Sequence, residues 1–323
     1  MSTPTLVVGG YGYGNLGDEA MLAGLLTRLD REQVTVVSRN PPRTTAAHGV
    51  RSIPIHLAPL ALVSHRSVVI GGGSLFGRDM GRIGRMLPAF GAIAGRLGKR
   101  VELVGIGLDD VAPTDRSVRR LLRLSARVVV RDRRSLDLAR RWGVEATVEP
   151  DLSSAMPAAD PDAGRDLLRS SGVDVRRPVV GLCLTAVAPA LARDVLEAVS
   201  AAIDRLAEVE FVCIPMARHP RVPAHDDGVL ARRLAELRPR VRVLDLPDPA
   251  TTLSAFGWLD AAVCMRFHSL VFAERSGVPI VPIAYASKCT AWLAERGMTS
   301  IAPTAEAVTD AISRVLPAER RAG

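Results

Sequence analysis

The sequence predicts an α/β protein of two doubly wound domains facing a cleft. Three observations carry this. Short apolar strands alternate with amphipathic helices along the chain, the pattern of a parallel sheet covered on both faces. The alternation breaks off once, in a stretch rich in Pro, Ala, Asp and Arg at 156–177, and then restarts. At 323 residues the chain is about twice the usual size of one domain. The expected domains are 1–160 and 161–323, with the closing helix packing back across their junction.

The first half opens with a strand at Thr5–Gly9 and a run dense in glycine up to Gly17. A helix starts near Asp18, where Leu22, Leu25, Leu26 and Leu29 share one face. Strands follow at Gln33–Ser38 and at Arg66–Ile70, the latter running into Gly71-Gly72-Gly73-Ser74 and a helical stretch to about Leu97. The strand Arg100–Gly105 precedes a helix at Asp115–Leu124, and the strand Arg127–Val130 precedes one at Arg134–Trp142. Thr147–Glu149 then leads to Pro150-Asp151.

In the second half, strands are expected at Val179–Leu184, Val209–Ile214, Val241–Leu244, Ala261–Met265 and Ile280–Ile283. The helices between them are Leu191–Leu206, Asp227–Leu237, Thr251–Phe256, Ser269–Ser276 and Cys289–Arg296, and Ala305–Val315 closes the chain. Each half therefore reads as a Rossmann-like domain, and no tandem repeat links them.

Composition narrows the function. Aromatics are only 4% of the chain, and no basic run is interleaved with them, so nucleic acid is not an expected partner. The net charge of +8 reflects either Arg-rich codon usage or attraction to anions: a phosphorylated donor, a diphosphate-linked acceptor, or an anionic membrane face. The four cysteines form no C-x-x-C pair, which predicts reduced thiols in a cytoplasmic protein and no metal site. No leader-like segment and no long apolar run is present.

Four segments could carry chemistry. Gly9–Glu19 (GGYGYGNLGDE) lies between a strand and a helix, where glycines allow close backbone approach and unpaired N–H groups point outward. No Lys follows Gly17, so this is not a P-loop. Gly14, Asn15 and Asp18 are candidates for binding a polar acceptor; Asp18 and Glu19 equally suit the first turn of a helix. Gly72, Gly73 and Ser74 close a strand, at the sheet edge where α/β proteins bind ligands. Arg131 also ends a strand and can fork onto a carboxylate or phosphate. The sharpest segment is Cys264-Met265-Arg266-Phe267-His268-Ser269, with Tyr285-Ala286-Ser287-Lys288 after the next strand. Arg266, His268 and Lys288 together would cage a small polyanion.

The set GYGYGNLGDEA, GGGSL, VRDxxS, IPM followed by His219-Pro220 and Asp226, RFHSLVFA and YASK spans Gly9 to Lys288 in one order and resembles the polysaccharide pyruvyl transferase family. The resemblance implies a GT-B-like fold and transfer of pyruvate from phosphoenolpyruvate onto a sugar or lipid-linked glycan as a ketal, with no cofactor. It implies that the N-terminal domain serves the acceptor and the C-terminal domain the phosphoenolpyruvate. It matches Arg131, His268 and Lys288 to donor-binding positions, Arg266 to the Arg preceding the His, and Asn15 and Asp18 to the acceptor side. His268 would be the proton donor and Asp18 or Glu19 the base. A glycosyltransferase using a nucleotide sugar, a transferase acting on a small secondary metabolite, and a non-catalytic binding protein of the same fold are the alternatives.

Overall fold

A computed structural model describes residues 3–77, 81–108, 111–186, 189–219, 222–245 and 248–317, with backbone alone for 81–83. Contacts divide the chain into two compact units, Met1–Tyr13 with Asp18–Pro157, and Gly14–Gly17 with Ala158–Gly323.

The first unit is a parallel sheet of seven strands: β1 (Thr5–Val8), β2 (Val34–Ser38), β3 (Arg51–Pro54), β4 (Ser67–Gly73), β5 (Arg100–Ile106), β6 (Arg127–Val130) and β7 (Thr147–Val148), in the order β3-β2-β1-β4-β5-β6-β7. Its helices are α1 (Leu16–Leu26), α2 (Pro41–His48), α3 (Ala58–Ala61), α4 (Gly81–Arg96), α5 (Arg116–Leu124) and α6 (Arg133–Arg141). Strand residues alternate between two cores, as a sheet covered on both faces requires. Leu6, Val68, Ile70, Leu103 and Val128 pack on the side of α3, α4, α5 and α6. Val7, Val69, Val104 and Val129 pack on the side of α1.

The second unit repeats the plan with β8 (Val179–Cys183), β9 (Glu210–Cys213), β10 (Arg242–Val243), β11 (Ala261–Cys264) and β12 (Ile280–Pro282), ordered β10-β9-β8-β11-β12. Around it lie α7 (Pro161–Ser170), α8 (Pro189–Arg205), α9 (Asp227–Leu237), α10 (Pro249–Phe256), α11 (Phe267–Arg275), α12 (Ser287–Ala294) and α13 (Ala305–Val315). In both sheets the chain runs outward from the centre one way and then returns to continue the other way. The reversal lies between β1 and β4 in one and between β8 and β11 in the other, the positions where such sheets bind ligands.

The structure adds elements that the sequence pattern concealed. Residues 41–61 hold a helix, an edge strand and a short second helix. α2 starts with Asn40 accepting from the Arg43 N–H, has Pro at its first positions, and ends at Gly49 in the left-handed conformation. Those residues read as breakers in sequence but are a Pro-first, Gly-last helix. β3 ends in Pro54, tolerated because β3 is an edge strand. The proline-rich stretch 156–177 holds a helix at its centre rather than being irregular throughout. In α7, Asp160 caps the N–H of Asp162, Pro161 takes the first turn, and Gly164 and Leu168 are buried. α7 packs on α10, where a Cβ at Gly164 would lie 2.3 Å from the Ala255 nitrogen. The closing helix α13 buries Val308 and Ile312 in the second unit's own core and packs on α8. All four cysteines are buried and unbridged, and burial pushes the Cys213 thiol up to about 12. Among the described residues no helix is long and apolar enough to cross a membrane.

Candidate functional site

In the first unit the glycine run after β1 is held from three sides. The buried Tyr11 hydroxyl donates to the Gly71 carbonyl at 2.8 Å, tying the run to β4. Burial, with Asp18 and Glu19 nearby, pushes this phenol far up and keeps it a donor. Glu19 accepts from the Gly12 N–H at 2.7 Å and pairs with His48 Nε2 at 2.8 Å. Glu19 is thus taken up in shaping the loop. Asp18 lies over the reversal point: its carboxylate oxygens are 3.0 Å and 3.5 Å from where Cβ atoms of Gly10 and Gly73 would stand. Gly72 and Gly73 belong to β4, at φ of 79° and 86°, which only glycine adopts readily. Met21 fills the space where their side chains would be.

Ser74 and Arg131 come together at the carboxyl ends of β4 and β6, with Arg131 Nη2 donating to Ser74 Oγ at 2.7 Å. The Arg131 side chain is 3% exposed and has Asp132 and Asp151 carboxylates each at 3.7 Å. Asp151 also accepts from the N–H and hydroxyl of Ser153, starting a short 3-10 turn at Leu152–Ala155. The guanidinium is therefore a fixed, charge-balanced group and not a loose surface cation.

The second unit gathers the rest. Residues 14–17 run beside the loop after β9: Asn15 bridges Ala217, Leu16 N–H donates to the Met216 carbonyl, and Arg218 N–H donates to the Gly14 carbonyl. Asn15 Oδ1 caps α1 by accepting from the Gly17 N–H at 3.0 Å. Gly14, at φ 82°, passes so close to Arg218 that a Cβ would stand 2.5 Å from its carbonyl oxygen. Gly17 makes the tightest approach. A Cβ there would stand 1.9 Å from His268 Nδ1, so the imidazole lies flat against the glycine backbone.

His268 is in the first turn of α11, next to Arg266 at the helix cap. The Arg266 guanidinium forks onto the fully buried Asp227 at 2.6–3.1 Å. Asp227 also accepts from the Ala217 N–H at 3.0 Å. Burial pushes the Asp227 carboxyl up, against the pull of Arg266 and that N–H. This bidentate pair braces the loops after β9 and β11 on each other. Lys288 stands in the first turn of α12, after the adjacent strand β12. That turn is pinned to the β11 loop by Cys289 Sγ on the Met265 carbonyl, 3.6 Å. Lys288 is partly exposed and has no hydrogen bond or ion pair among the described residues.

The sequence model of polysaccharide pyruvyl transferases matches residues 15–287. The chain belongs to this family. Lys288 falls immediately past the matched span. No curated protein is matched by the sequence. Solved structures with this fold include UDP-GlcNAc 2-epimerase from Methanocaldococcus jannaschii (TM-score 0.65, 11% identity, 98% of this chain and 94% of that one). Another is UDP-GlcNAc 2-epimerase from Neisseria meningitidis bound to UDP-GlcNAc (0.68, 10%, 96% and 90%). Sucrose-phosphate synthase from Thermosynechococcus elongatus also aligns (0.53, 12%, 96% and 89%). At such identities the likeness is one of fold, and it makes the pyruvyl transferase chain GT-B-like.

Three contributors were not singled out from sequence. Asp226 had been noted among the motifs, but the buried carboxylate is its neighbour Asp227, while Asp226 caps the Gly228 N–H. Pro220 of the His219-Pro220 pair lies outside the described residues. The others are Tyr11, which sits between two glycines, and Asp151, which follows a proline; nothing in the local sequence marks either as a brace.

Proposed function

We propose that this pyruvyl transferase takes phosphoenolpyruvate as donor and closes a pyruvate ketal on two hydroxyls of a sugar in a polysaccharide or lipid-linked glycan. The observation that carries the reading is the pairing of His268 and Lys288. They occupy the first turns of α11 and α12, after the neighbouring parallel strands β11 and β12, beside the second sheet's reversal point. A trianionic donor needs cations and helix N-termini, and Lys288 offers charge that no acid of the described residues cancels.

In this reading His268 gives a proton to the methylene carbon of phosphoenolpyruvate. Positive charge develops at C2 and a sugar hydroxyl bonds there. The C2–O bond to phosphate then breaks, and the second hydroxyl closes the ring. Of the two hydroxyl protons, one restores His268 and the other, taken up first by the base, leaves with inorganic phosphate. Lys288 offsets charge on the departing phosphate. Arg266, balanced by Asp227, holds the His268 loop in place. In the first unit, Asp18 is the proposed base, with the backbone of Gly72 and Gly73 and Ser74 forming the floor around the acceptor, and Arg131 is the proposed cation for the donor; Gly14 and Asn15 set the course of the chain between loop and helix. The four buried thiols support action in a reducing cytoplasm, and the acceptor would be a cell-wall precursor or exopolysaccharide unit.

The test is incubation with phosphoenolpyruvate and a panel of nucleotide- and lipid-linked sugars, following phosphate release and the mass of the ketal product. His268→Ala is expected to lower turnover by roughly 100-fold or more at an unchanged thermal midpoint. Normal turnover by that variant would remove His268 from the chemistry. Turnover of a nucleotide sugar with no response to phosphoenolpyruvate would favour glycosyl transfer instead.

A further inference from the structure

The most exposed large apolar side chains of the first unit lie on one side of its sheet. Among the described residues, the large apolar side chains at least half exposed are Val63 (85%), Leu60 (69%), Met86 (63%), Leu97 (61%) and Ile93 (50%). All five lie on or just beyond α3 and α4, on the same side of the sheet. They do not reflect poor packing. Ala58 and Leu62 of the α3 segment and Leu87 and Ala94 of α4 are buried in one core, so both helices have an inward face already satisfied. On α4 the spacing of Met86, Ile93 and Leu97 makes a second stripe that points away from that core.

The charges around the stripe are mostly positive. Arg85 and Arg96 are exposed on α4, about a quarter turn beyond the apolar residues. α5 lies against α4, close enough that a Cβ at Gly91 would stand 2.5 Å from Leu121. It adds the exposed Arg116, Arg119 and Arg120, against one acid at its N-cap, Asp115. Residues 55–101 contain a single acid, Asp79, which lies outside the described residues. On the far side of α5, α6 continues the basic character, with Asp137 as its one acid.

Exposed aliphatic side chains ringed by arginine on short helices lying along a surface are the combination that settles into the interface of an anionic bilayer. A second copy of this chain fits less well. A two-fold pairing would set this basic face against itself, and like charges would oppose the apolar contact. We infer that the α3–α4–α5 face of the first unit docks the protein on an anionic lipid surface, with Leu60, Val63, Met86, Ile93 and Leu97 entering the headgroup boundary and the α4 and α5 arginines contacting lipid phosphates.

Flotation of the full chain with vesicles tests this, and needs no enzyme activity. The wild type is expected to float with vesicles of phosphatidylcholine containing 30% phosphatidylglycerol in low salt, and much less with pure phosphatidylcholine. Arg85→Ala with Arg96→Ala should weaken binding about 25-fold, at about five-fold per cation. Leu60→Asp with Leu97→Asp should abolish it. Both pairs are exposed, so thermal midpoints should stay within about 2 °C of wild type. Arg193→Ala with Arg233→Ala, equal in charge but on the second unit, should change binding less than two-fold. The inference is overturned if the wild type fails to float with the anionic vesicles, or if the Leu60/Leu97 variant floats as well as wild type. Equal loss from the Arg193/Arg233 pair would overturn it too, by assigning binding to net charge alone. A wild-type dimer that Leu97→Asp dissociates, with vesicle binding unchanged, would overturn it in favour of self-association.

Discussion

Replacing Gly17 by Ala probes its contact with His268 directly. The new Cβ would stand 1.9 Å from Nδ1, 2.4 Å from Cγ and 2.6 Å from Cε1. The closest of these is about 1.5 Å inside the 3.4 Å where ordinary contact begins, and three ring atoms are met at once. The imidazole cannot yield by a small tilt; it must leave its position or displace the Gly14–Gly17 segment. Overpacking of this kind costs about 1–3 kcal/mol. Against it stands a gain of roughly 0.5–1 kcal/mol, because Ala suits a helix better than Gly. The two contributions separate in a double-mutant cycle. In a His268→Ala background the clash is gone and Gly17→Ala should be neutral or stabilising. In wild type it should destabilise, for a coupling of about 1–3 kcal/mol. For a domain of this size that is a difference of roughly 2–12 °C between the two midpoint shifts. Phosphate release from phosphoenolpyruvate should fall in Gly17→Ala toward the His268→Ala level, since a displaced ring delivers no proton. Coupling below about 0.5 kcal/mol would refute the packing, and full activity of a stable Gly17→Ala protein would refute the role of the ring's position.

Three further outcomes follow from the same structure. Asp227→Ala leaves the Arg266 charge buried without its partner and should destabilise by about 3–5 kcal/mol, with much of that recovered by adding Arg266→Met; urea midpoints report both. Lys288→Ala breaks no contact among the described residues, so stability should hold while kcat/KM for phosphoenolpyruvate falls by about 1.5–3 kcal/mol, measured by phosphate release. Asp115 caps α5: burial raises its carboxyl, but the Ser117 hydroxyl and the Ser117 and Val118 N–H groups outweigh it and hold the carboxyl below its ordinary value. A depressed acid stabilises above its unfolded pKa and loses that benefit as pH falls through the folded one. The stability gap between wild type and Asp115→Ala, about 1 kcal/mol at neutral pH, should therefore narrow below about pH 3.8.

Regular elements were legible wherever hydrophobic period and breakers agreed. β1 and β4 are short apolar runs ending in glycine, β11 is one that soon meets Arg266, and each stands where the pattern puts it. α2 and α7 were not legible, because Pro41, Pro42 and Pro161 look like interruptions until a cap and an inward face are known. The same holds for the candidate site. Strand-end placement of Arg131, Arg266, His268 and Lys288 followed from local sequence. What neutralises two of them did not. Asp227 lies far from Arg266 in the chain, and Asp151 from Arg131, and nothing local distinguishes a carboxylate that braces from one that merely caps. The fit of His268 on Gly17 joins opposite ends of the sequence and leaves no local trace beyond a glycine in an already glycine-rich run.

The four residues Gly14–Gly17 give the chain an order of assembly. They are made at the start of synthesis, yet their hydrogen bonds go to Met216 and Arg218 and their closest packing to His268. During translation this strap must wait, unmatched, until the last third of the chain emerges. A fragment beginning at residue 158 would never receive it, and the loop after β9 would lack its edge partner. Cutting the gene between the two units therefore would not yield two intact halves, and recombination that exchanges the second unit must carry residues 14–17 along with it.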